Sequence, residues 1–340
     1  MLLKDFDLTT RNTLALPARA ALYLEVGSRE RLEALACDLS LKGLRRFVLG
    51  GGSNLVLTGD FDGLVLHIAI PGRRCTGEDA DHWYVSAGAG ENWNDFVRWT
   101  LDKGWPGLEN LAQIPGSVGA APVQNIGAYG LEVADRIAGL TAIDTHTGNP
   151  LRLSRADCRF AYRSSVFKQE GWHLDGRTAI VEVTFALPKR WTPLTAYAEL
   201  AAELDARKNA APNAREIAEA VAAVRRRKLP DPATHPNAGS FFQNPTVDAE
   251  KAAELTARDP TMPSYPQADG RVKHAAGWLI ERAGWKGKRL GCVGFHEKQA
   301  LVLVNYGGAR ASDLAALTHA VQADVKEKFG VDLIPEPVLL

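Results

Sequence analysis

Three groups of residues in this chain have the types and spacing to do chemistry. In "NAGSFFQNP" (residues 237–245), Ser240 sets a small hydroxyl between a glycine and two phenylalanines, with amides nearby. One reading is a turn entering a strand, where Gly239 gives backbone freedom and the aromatics pack inward. The other is a serine that gives or takes a proton in a water-poor site. The second group is two glycine clusters after strand-like runs, "LGGGSN" (49–54) and "AGAGEN" (87–92). Neither completes the dinucleotide fingerprint, because Leu55 and Trp93 stand where the pattern breaks, and no P-loop run exists. What remains is the bare backbone of Gly50, Gly51 and Gly52, able to approach a phosphate, with Ser53 and Asn54 as further donors. A plain glycine turn between strands fits each cluster alone equally well.

The third group is "IPGSVGAAPVQNIGAYG" (114–130), where Gly116, Ser117, Gly119 and Gly127 let backbone lie against something flat and large. Gln124 and Asn125 can hydrogen-bond a heterocyclic edge, and Tyr129 can stack on it. Three glycine loops together point to an extended cofactor with a pyrophosphate and a ring. No metal is expected, since there is no H-E-x-x-H run and the eight histidines do not cluster.

These residues need elements to position them. Residues 21–26 read as a strand, followed by a helix capped by Ser28 with Leu32, Leu35, Ala36 and Leu39 on one face. A strand, a glycine loop and another strand follow in "RRFVLGGGSNLVL". The same grammar recurs in "HWYVSAGAGENWNDFVRWTLDKG", whose helix puts Trp93, Phe96, Val97, Thr100 and Leu101 on one face. A hairpin turning at Thr147, Gly148 and Asn149 and a strand in "TAIVEVTFAL" come next. Composition then shifts at "PKRWTP", and an alanine-rich helical segment runs to Leu229, stopped by "LPDP". Its last turn holds Arg225, Arg226, Arg227 and Lys228, which for the arginines reads as a basic helix end complementing the macrodipole. Beyond residue 237 the sequence predicts a helix over "VKHAAGWLIERAGWKG", a strand in "ALVLVN", a helix over 313–329 capped by Ser312, and a strand at 331–333.

The chain has 340 residues, long for one core, so two or three domains are expected. Forty basic and forty acidic side chains balance, which gives no reason to expect nucleic acid or an anionic membrane. The cysteines, Cys37, Cys75, Cys158 and Cys292, lie far apart and suit free thiols in a reducing compartment. The acids in "MLLKDFDLTTR" do not suit a signal peptide, and the uncharged stretch 111–131 carries too many prolines, glycines and amides to span a membrane.

Taken in order, "LGGGSNLV", "GAGENW", "GLENLAQIPGSVGAAPVQNIGAYG", "CRFAYRSSVFK", "NAGSFFQNP", "YPQADG", "AAGWLIERAGWKG" and the terminal "IPEP" resemble the UDP-N-acetylenolpyruvoylglucosamine reductases over almost the whole chain. The segment around "TPLTAYAEL" resembles the type with an added tyrosine loop. The resemblance implies an α+β fold. An FAD-binding domain of the PCMH/vanillyl-alcohol-oxidase type would occupy 16–189 and a tyrosine-loop and helical connection 190–229. A smaller α+β substrate domain would occupy 230–333, with a terminal strand at 334–340 returning to the FAD domain. It implies non-covalent FAD, NADPH as co-substrate, and UDP-N-acetylglucosamine enolpyruvate as substrate. A cytoplasmic monomer is expected.

The resemblance also assigns roles. Arg163 and Glu336 take the positions that stabilise charge on the substrate carboxylate, and Ser240 that of the proton donor to the neighbouring carbon. Glu336 would help if burial kept it protonated. Lys228, Asn244, Tyr197, Tyr265 and Gln299 are expected to hold the nucleotide-sugar. Residues 50–54, 116–119 and 125–129 would hold the flavin. Two rivals stand beside this reading: a flavin oxidase of the same cofactor fold, and a nucleotide-sugar-binding protein without catalysis.

Overall fold

Apolar runs long enough to be covered on both faces set the first sheet. "GLVLHI", inside the strand Phe61–Ile68, is buried at almost every position. It lies between Arg19–Val26 and Arg46–Leu49, parallel to both, with Leu2–Asp7 at the edge. Burial on both faces is what a parallel sheet demands of its strands. The structure, a computed structural model, describes residues 1–340, which divide into two units. The first comprises Met1–Phe6, Arg19–Gly52 and Asp60–Arg227; the second comprises Asp7–Ala18, Ser53–Gly59 and Lys228–Leu340.

In the first unit a five-stranded antiparallel sheet runs in the order Pro150–Ser154, Ile137–Asp144, Thr178–Pro188, His82–Gly88, Arg73–Glu78. The hairpin expected at 147–149 joins the first two strands, with Gly148 at φ +74°. The helix Trp93–Asp102 is capped by Asn92, whose side-chain oxygen accepts the Asp95 N–H at 3.0 Å. Its buried Trp93, Phe96, Val97 and Thr100 face the sheet, and Phe96 meets Phe185 at 5.0 Å between ring centroids. The amphipathic stripe read from the sequence is thus the stripe that builds the core.

Two expectations in this unit are corrected. The helix capped by Ser28 spans Arg29–Ala36 and does not reach Leu39, which is exposed. Asp38 ends it by accepting the N–H and hydroxyl of Ser40, a local side-chain bond that competes with helix continuation. The alanine-rich segment forms two helices, Ala198–Ala206 and Ala214–Lys228. They are separated where Lys208 adopts φ +55° and Pro212 precedes Asn213, whose side chain accepts the Glu216 N–H at the next helix start.

The second unit holds a sheet ordered Asn237–Ser240, Val302–Asn305, Val293–Phe295, Arg289–Leu290. The helix Ala311–Phe329 buries Leu314, Leu317, Thr318, Val321 and Val325 along one stripe. Residues 7–18 are tied in by Asn305, whose side-chain amide donates to Leu14 O at 2.8 Å, and by the Asn237 N–H to Thr13 O at 2.9 Å. Three expectations change here. Val272–His274 is the central strand of a small sheet with Thr246–Val247 and Ser264–Pro266, so the helix covers only Ala276–Arg282. The helix Ala311–Phe329 starts earlier, with Asp313 accepting the Arg310 N–H in place of a Ser312 cap. The terminal strand is Val338–Leu339, parallel to Leu55–Val56, and residues 331–333 are not a strand. The two strand corrections turn on pairing partners outside the segment itself, which local propensity cannot see, whereas the helix start is a local choice between two neighbouring caps.

Candidate active site

The glycines of all three loops lie in the first unit and converge. Loop 116–119 docks on 89–92 through Val118 N–H to Glu91 O, Gly119 N–H to Ala89 O and Trp93 N–H to Gly116 O. Loop 50–52 lies against it: a Cβ on Gly51 would sit 2.9 Å from Gly116 Cα, and one on Gly119 would sit 2.5 Å from Ala89 Cβ. Only glycine allows backbones this close. The N–H groups of Gly51, Gly52, Gly116 and Ser117 donate to no backbone carbonyl, and the buried Ser117 Oγ has no hydrogen-bond partner in the chain. Donors left without acceptors in a glycine cradle suit the phosphates of a dinucleotide cofactor.

The third loop continues into a hairpin, Gly127–Ala128 paired with Leu131–Glu132. Its two turn residues, Tyr129 at φ +49° and Gly130 at φ +84°, both occupy the left-handed region, as a two-residue turn of this hand requires. An aromatic side chain is unusual there and must be held from outside. The Tyr129 ring meets Tyr197 edge to face, its carbonyl accepts from the Asn110 side chain at 2.8 Å, and its hydroxyl faces Arg225. Burial pushes the Tyr129 hydroxyl pKa up, with Arg225 opposing the rise. Burial likewise lowers that of Arg225, and Tyr129 offsets it. Arg163, itself at φ +49°, donates from its guanidinium to Gly127 O at 2.9 Å and Asn125 O at 3.3 Å.

Asn125 corrects one expectation. Its Nδ2 donates to Glu132 Oε2 and Ala161 O, and its Oδ1 accepts the Ala134 N–H. Fully buried and with both amide hydrogens committed, this side chain shapes the loop and has none left for a heterocyclic edge. The arginine run is also not a uniform helix end. Arg225 reaches Tyr129, and Arg227 pairs with Glu203 at 2.8 Å.

In the second unit, Ser240 and Glu336 lie on neighbouring segments. Chain 240–243 runs antiparallel to 334–336, through Glu336 N–H to Phe241 O at 2.9 Å, Gln243 N–H to Ile334 O, and a bridge between Phe242 and Pro335. Phe241 and Phe242 are buried as expected, but Ser240 is exposed, so the chain's own side chains do not make its surroundings dry. Asn54 donates to Glu336 O at 3.4 Å and its carbonyl accepts the Val338 N–H at 2.9 Å, placing Asn54 at the terminal segment. Asn244 accepts the Ala276 N–H with Oδ1 at 3.0 Å, capping the helix Ala276–Arg282. Lys228 ends its helix half-buried, Tyr265 is exposed on the small sheet, and Gln299 Oε1 lies 3.4 Å from the Leu301 N–H that it accepts.

Sequence reasoning missed Glu109, Asn110, Trp191 and Arg225. The signal for the first two was a Glu-Asn pair between two leucines, just before the uncharged stretch. Both are buried, and they hold Trp191 and Leu194.

The fold and the glycine cradle define the class first: an α+β protein with an FAD-binding domain. Residues 20–154 match the family described as FAD binding domain, and residues 231–340 match the UDP-N-acetylenolpyruvoylglucosamine reductase C-terminal domain. A relative from Dechloromonas aromatica (strain RCB), named UDP-N-acetylenolpyruvoylglucosamine reductase, is 63% identical over 336 residues, covering 99% of this chain and 98% of that one. Another of that name, from Azoarcus sp. (strain BH72), is 57% identical over 340 residues, covering 99% and 97%. The crystal structure of the Thermus caldophilus reductase shares the fold, with a TM-score of 0.67 at 24% identity over 100% of this chain and 98% of that one. The chain belongs to the UDP-N-acetylenolpyruvoylglucosamine reductase family. It is an oxidoreductase with FAD as its cofactor.

Proposed function

We propose that this chain uses NADPH to reduce the enolpyruvyl ether of UDP-N-acetylglucosamine enolpyruvate, giving UDP-N-acetylmuramate for peptidoglycan synthesis. The observation that carries this reading is the 63% identity, over 99% of the chain, to a relative named for that reaction. The glycine cradle supports it, since the Ser117 hydroxyl and the N–H groups of loops 50–52 and 116–119 suit the FAD phosphates. Bound FAD would supply the hydride that the alkene accepts, renewed from NADPH.

The rest falls to this chain's own groups. Hydride addition to the terminal carbon leaves negative charge on the next carbon and its carboxylate, which calls for fixed donors and a proton. Arg163 supplies the donors: a guanidinium held on two backbone carbonyls is pre-oriented for a carboxylate. Ser240 supplies the proton. Glu336, half-buried and fixed through its backbone to Phe241, is the second group serving the carboxylate. Lys228, Asn244 through its Nδ2, Tyr197, Tyr265 and Gln299 hold the nucleotide-sugar. Residues 230–333 form the substrate domain, and residues 190–229 carry the tyrosine loop. The enzyme works as a cytoplasmic monomer, as the family resemblance implies. Separately, no helix is long and apolar enough to cross a membrane.

An anaerobic absorption spectrum tests this. The flavin band is expected to bleach with NADPH and return when the enolpyruvyl nucleotide-sugar is added. Bleaching without return would move the assignment to a flavin oxidase, and rapid reoxidation by oxygen would reinforce that.

A further inference from the structure

The strand Thr178–Pro188 leads into residues 189–197, which end at the start of the helix Ala198–Ala206. Successive points along this crossing are held by one short segment of the first unit, residues 107–110. Pro188 packs on Gly107, where an added Cβ would sit 2.9 Å from the proline Cδ and where φ is +127°. Trp191 Nε1 donates to Glu109 Oε1 at 2.7 Å. Leu194 O accepts from Asn110 Nδ2 at 2.8 Å. Tyr197 then lies against Tyr129, whose carbonyl accepts from that same Nδ2 at 2.8 Å.

Glu109 and Asn110 are 1% and 0% exposed, unusual for groups this polar, and they bracket the crossing from below. The second carboxylate oxygen of Glu109 accepts the Gly107 N–H at 2.6 Å, and Gly107 O accepts from Arg136 Nε at 3.1 Å. The turn Glu109–Leu111 is anchored in turn by Trp93, whose Nε1 donates to Leu111 O at 2.9 Å, and by the fully buried Leu108 and Leu111. Residues 189–197 are therefore fastened to a rigid base by these side chains and, at the near end, by the Lys189 N–H to Asp81 O at 2.7 Å, while their backbone forms no sheet or helix.

We propose that Glu109 and Asn110 are positioning residues that fix the segment carrying Tyr197 against Tyr129, so that one buried turn sets the flavin-side hairpin and the substrate-side tyrosine together. This rests on the reading of Tyr197 as a substrate residue. Asn110 does so by giving its two amide hydrogens to two carbonyls, one on each partner. Glu109 does so by gripping the indole N–H of Trp191. Neither touches substrate in this role; each acts through Tyr197.

The test uses the FAD-loaded full chain with Asn110→Asp, Glu109→Gln and Trp191→Phe. Asn110→Asp keeps the shape but turns both amide hydrogens into acceptors facing carbonyls, and Glu109→Gln removes one of two acceptors. Both are expected to raise the KM for the enolpyruvyl nucleotide-sugar about tenfold with kcat within about twofold, and Trp191→Phe to raise it roughly threefold to tenfold. Lys189 and Arg190 offer a readout independent of activity, because trypsin cuts after both. Cleavage there is expected to be at least about tenfold faster in the variants, with FAD content unchanged in Glu109→Gln and Trp191→Phe, whose bonds do not touch the hairpin. The pair Glu109→Gln with Trp191→Phe is expected to be no worse than Glu109→Gln alone.

An unchanged KM and unchanged cleavage in a folded Asn110→Asp enzyme would overturn the proposal. So would additive effects of the Glu109 and Trp191 substitutions. Should Asn110→Asp fail to fold, Trp191→Phe decides, since wild-type cleavage and KM in that variant would equally overturn it. An inactive wild type would defeat the functional reading instead, while the cleavage rates still judge the fastening.

Discussion

Tyr129 and Tyr197 meet edge to face, with ring centroids 5.3 Å apart and planes at 79°. The pair joins the hairpin of the third glycine loop to the residue at the start of the helix Ala198–Ala206. Tyr129 makes the contact from a left-handed backbone position that asparagine or glycine would occupy with less strain. The ring contact, of about 0.5–1.5 kcal/mol, and the Arg225 partner offset that strain.

Tyr129 variants separate turn from ring. Tyr129→Phe keeps the ring and is expected to leave the KM for the enolpyruvyl nucleotide-sugar within about threefold. Tyr129→Asn suits the turn but removes the ring, and is expected to raise KM about threefold to tenfold without lowering Tm. Steady-state kinetics beside a thermal melt checks both. A harmless asparagine would mean that the ring pair does not orient Tyr197.

Ser240 sits at the end of its strand with Phe241 and Phe242 buried behind it, which fixes where the hydroxyl projects. Ser240→Ala is expected to leave reduction of the flavin by NADPH unchanged and to slow its reoxidation by substrate about 10²-fold or more. Stopped-flow absorbance measures the two half-reactions separately. Equal loss in both would remove Ser240 from the proton-donor role.

Ser117 Oγ is buried with no partner inside the chain, so its deletion costs the apoprotein no hydrogen bond. Ser117→Ala is therefore expected to leave the apoprotein Tm unchanged while weakening FAD binding about tenfold, the loss of roughly one hydrogen bond to a charged group. Titrating FAD into apoprotein by fluorescence gives the comparison. Undiminished affinity would place the flavin phosphates elsewhere.

The site was legible where chemistry and local sequence coincide. The three glycine loops, the capping Ser28 and the stripe Trp93, Phe96, Val97 and Thr100 needed no knowledge of distant partners. Asn125 was misread because an amide in a glycine-rich loop looks the same whether it serves a ligand or, as here, Glu132, Ala134 and Ala161. Glu109 and Asn110 stayed hidden for a related reason. Their partners Trp191 and Leu194 lie over eighty residues away in the chain, and nothing local distinguishes a buried Glu-Asn pair from a solvated one. His274 was read as helical because "VKHAAGWLIERAGWKG" has helical spacing, yet the pairing of Val272–His274 with two other strands outweighs it.

His274 is one of the buried histidines that tie stability to pH on the acid side. It is 0% exposed, Nδ1 lies 3.2 Å from Ser264 Oγ, and Nε2 has no partner. Burial holds its pKa below the ordinary 6.5, with the Pro263 carbonyl opposing. The unfolded chain therefore binds a proton at this histidine more readily than the folded one. Its contribution is present in full above pH 6.5, is lost as pH falls from there toward the folded value, and is constant below it. His173 and His296, whose pKa values burial also lowers, add to the same slope, so the His274 share must be isolated by substitution. His274→Leu is expected to flatten, without abolishing, the fall in stability below pH 6.5. At pH 7.5 it removes a buried nitrogen without a partner, while Ser264 keeps its bond to Met262 O, so stability there should be unchanged or about 1 kcal/mol higher. Urea unfolding from pH 5 to 8 compares the two proteins; parallel curves would mean that His274 takes up no proton on unfolding.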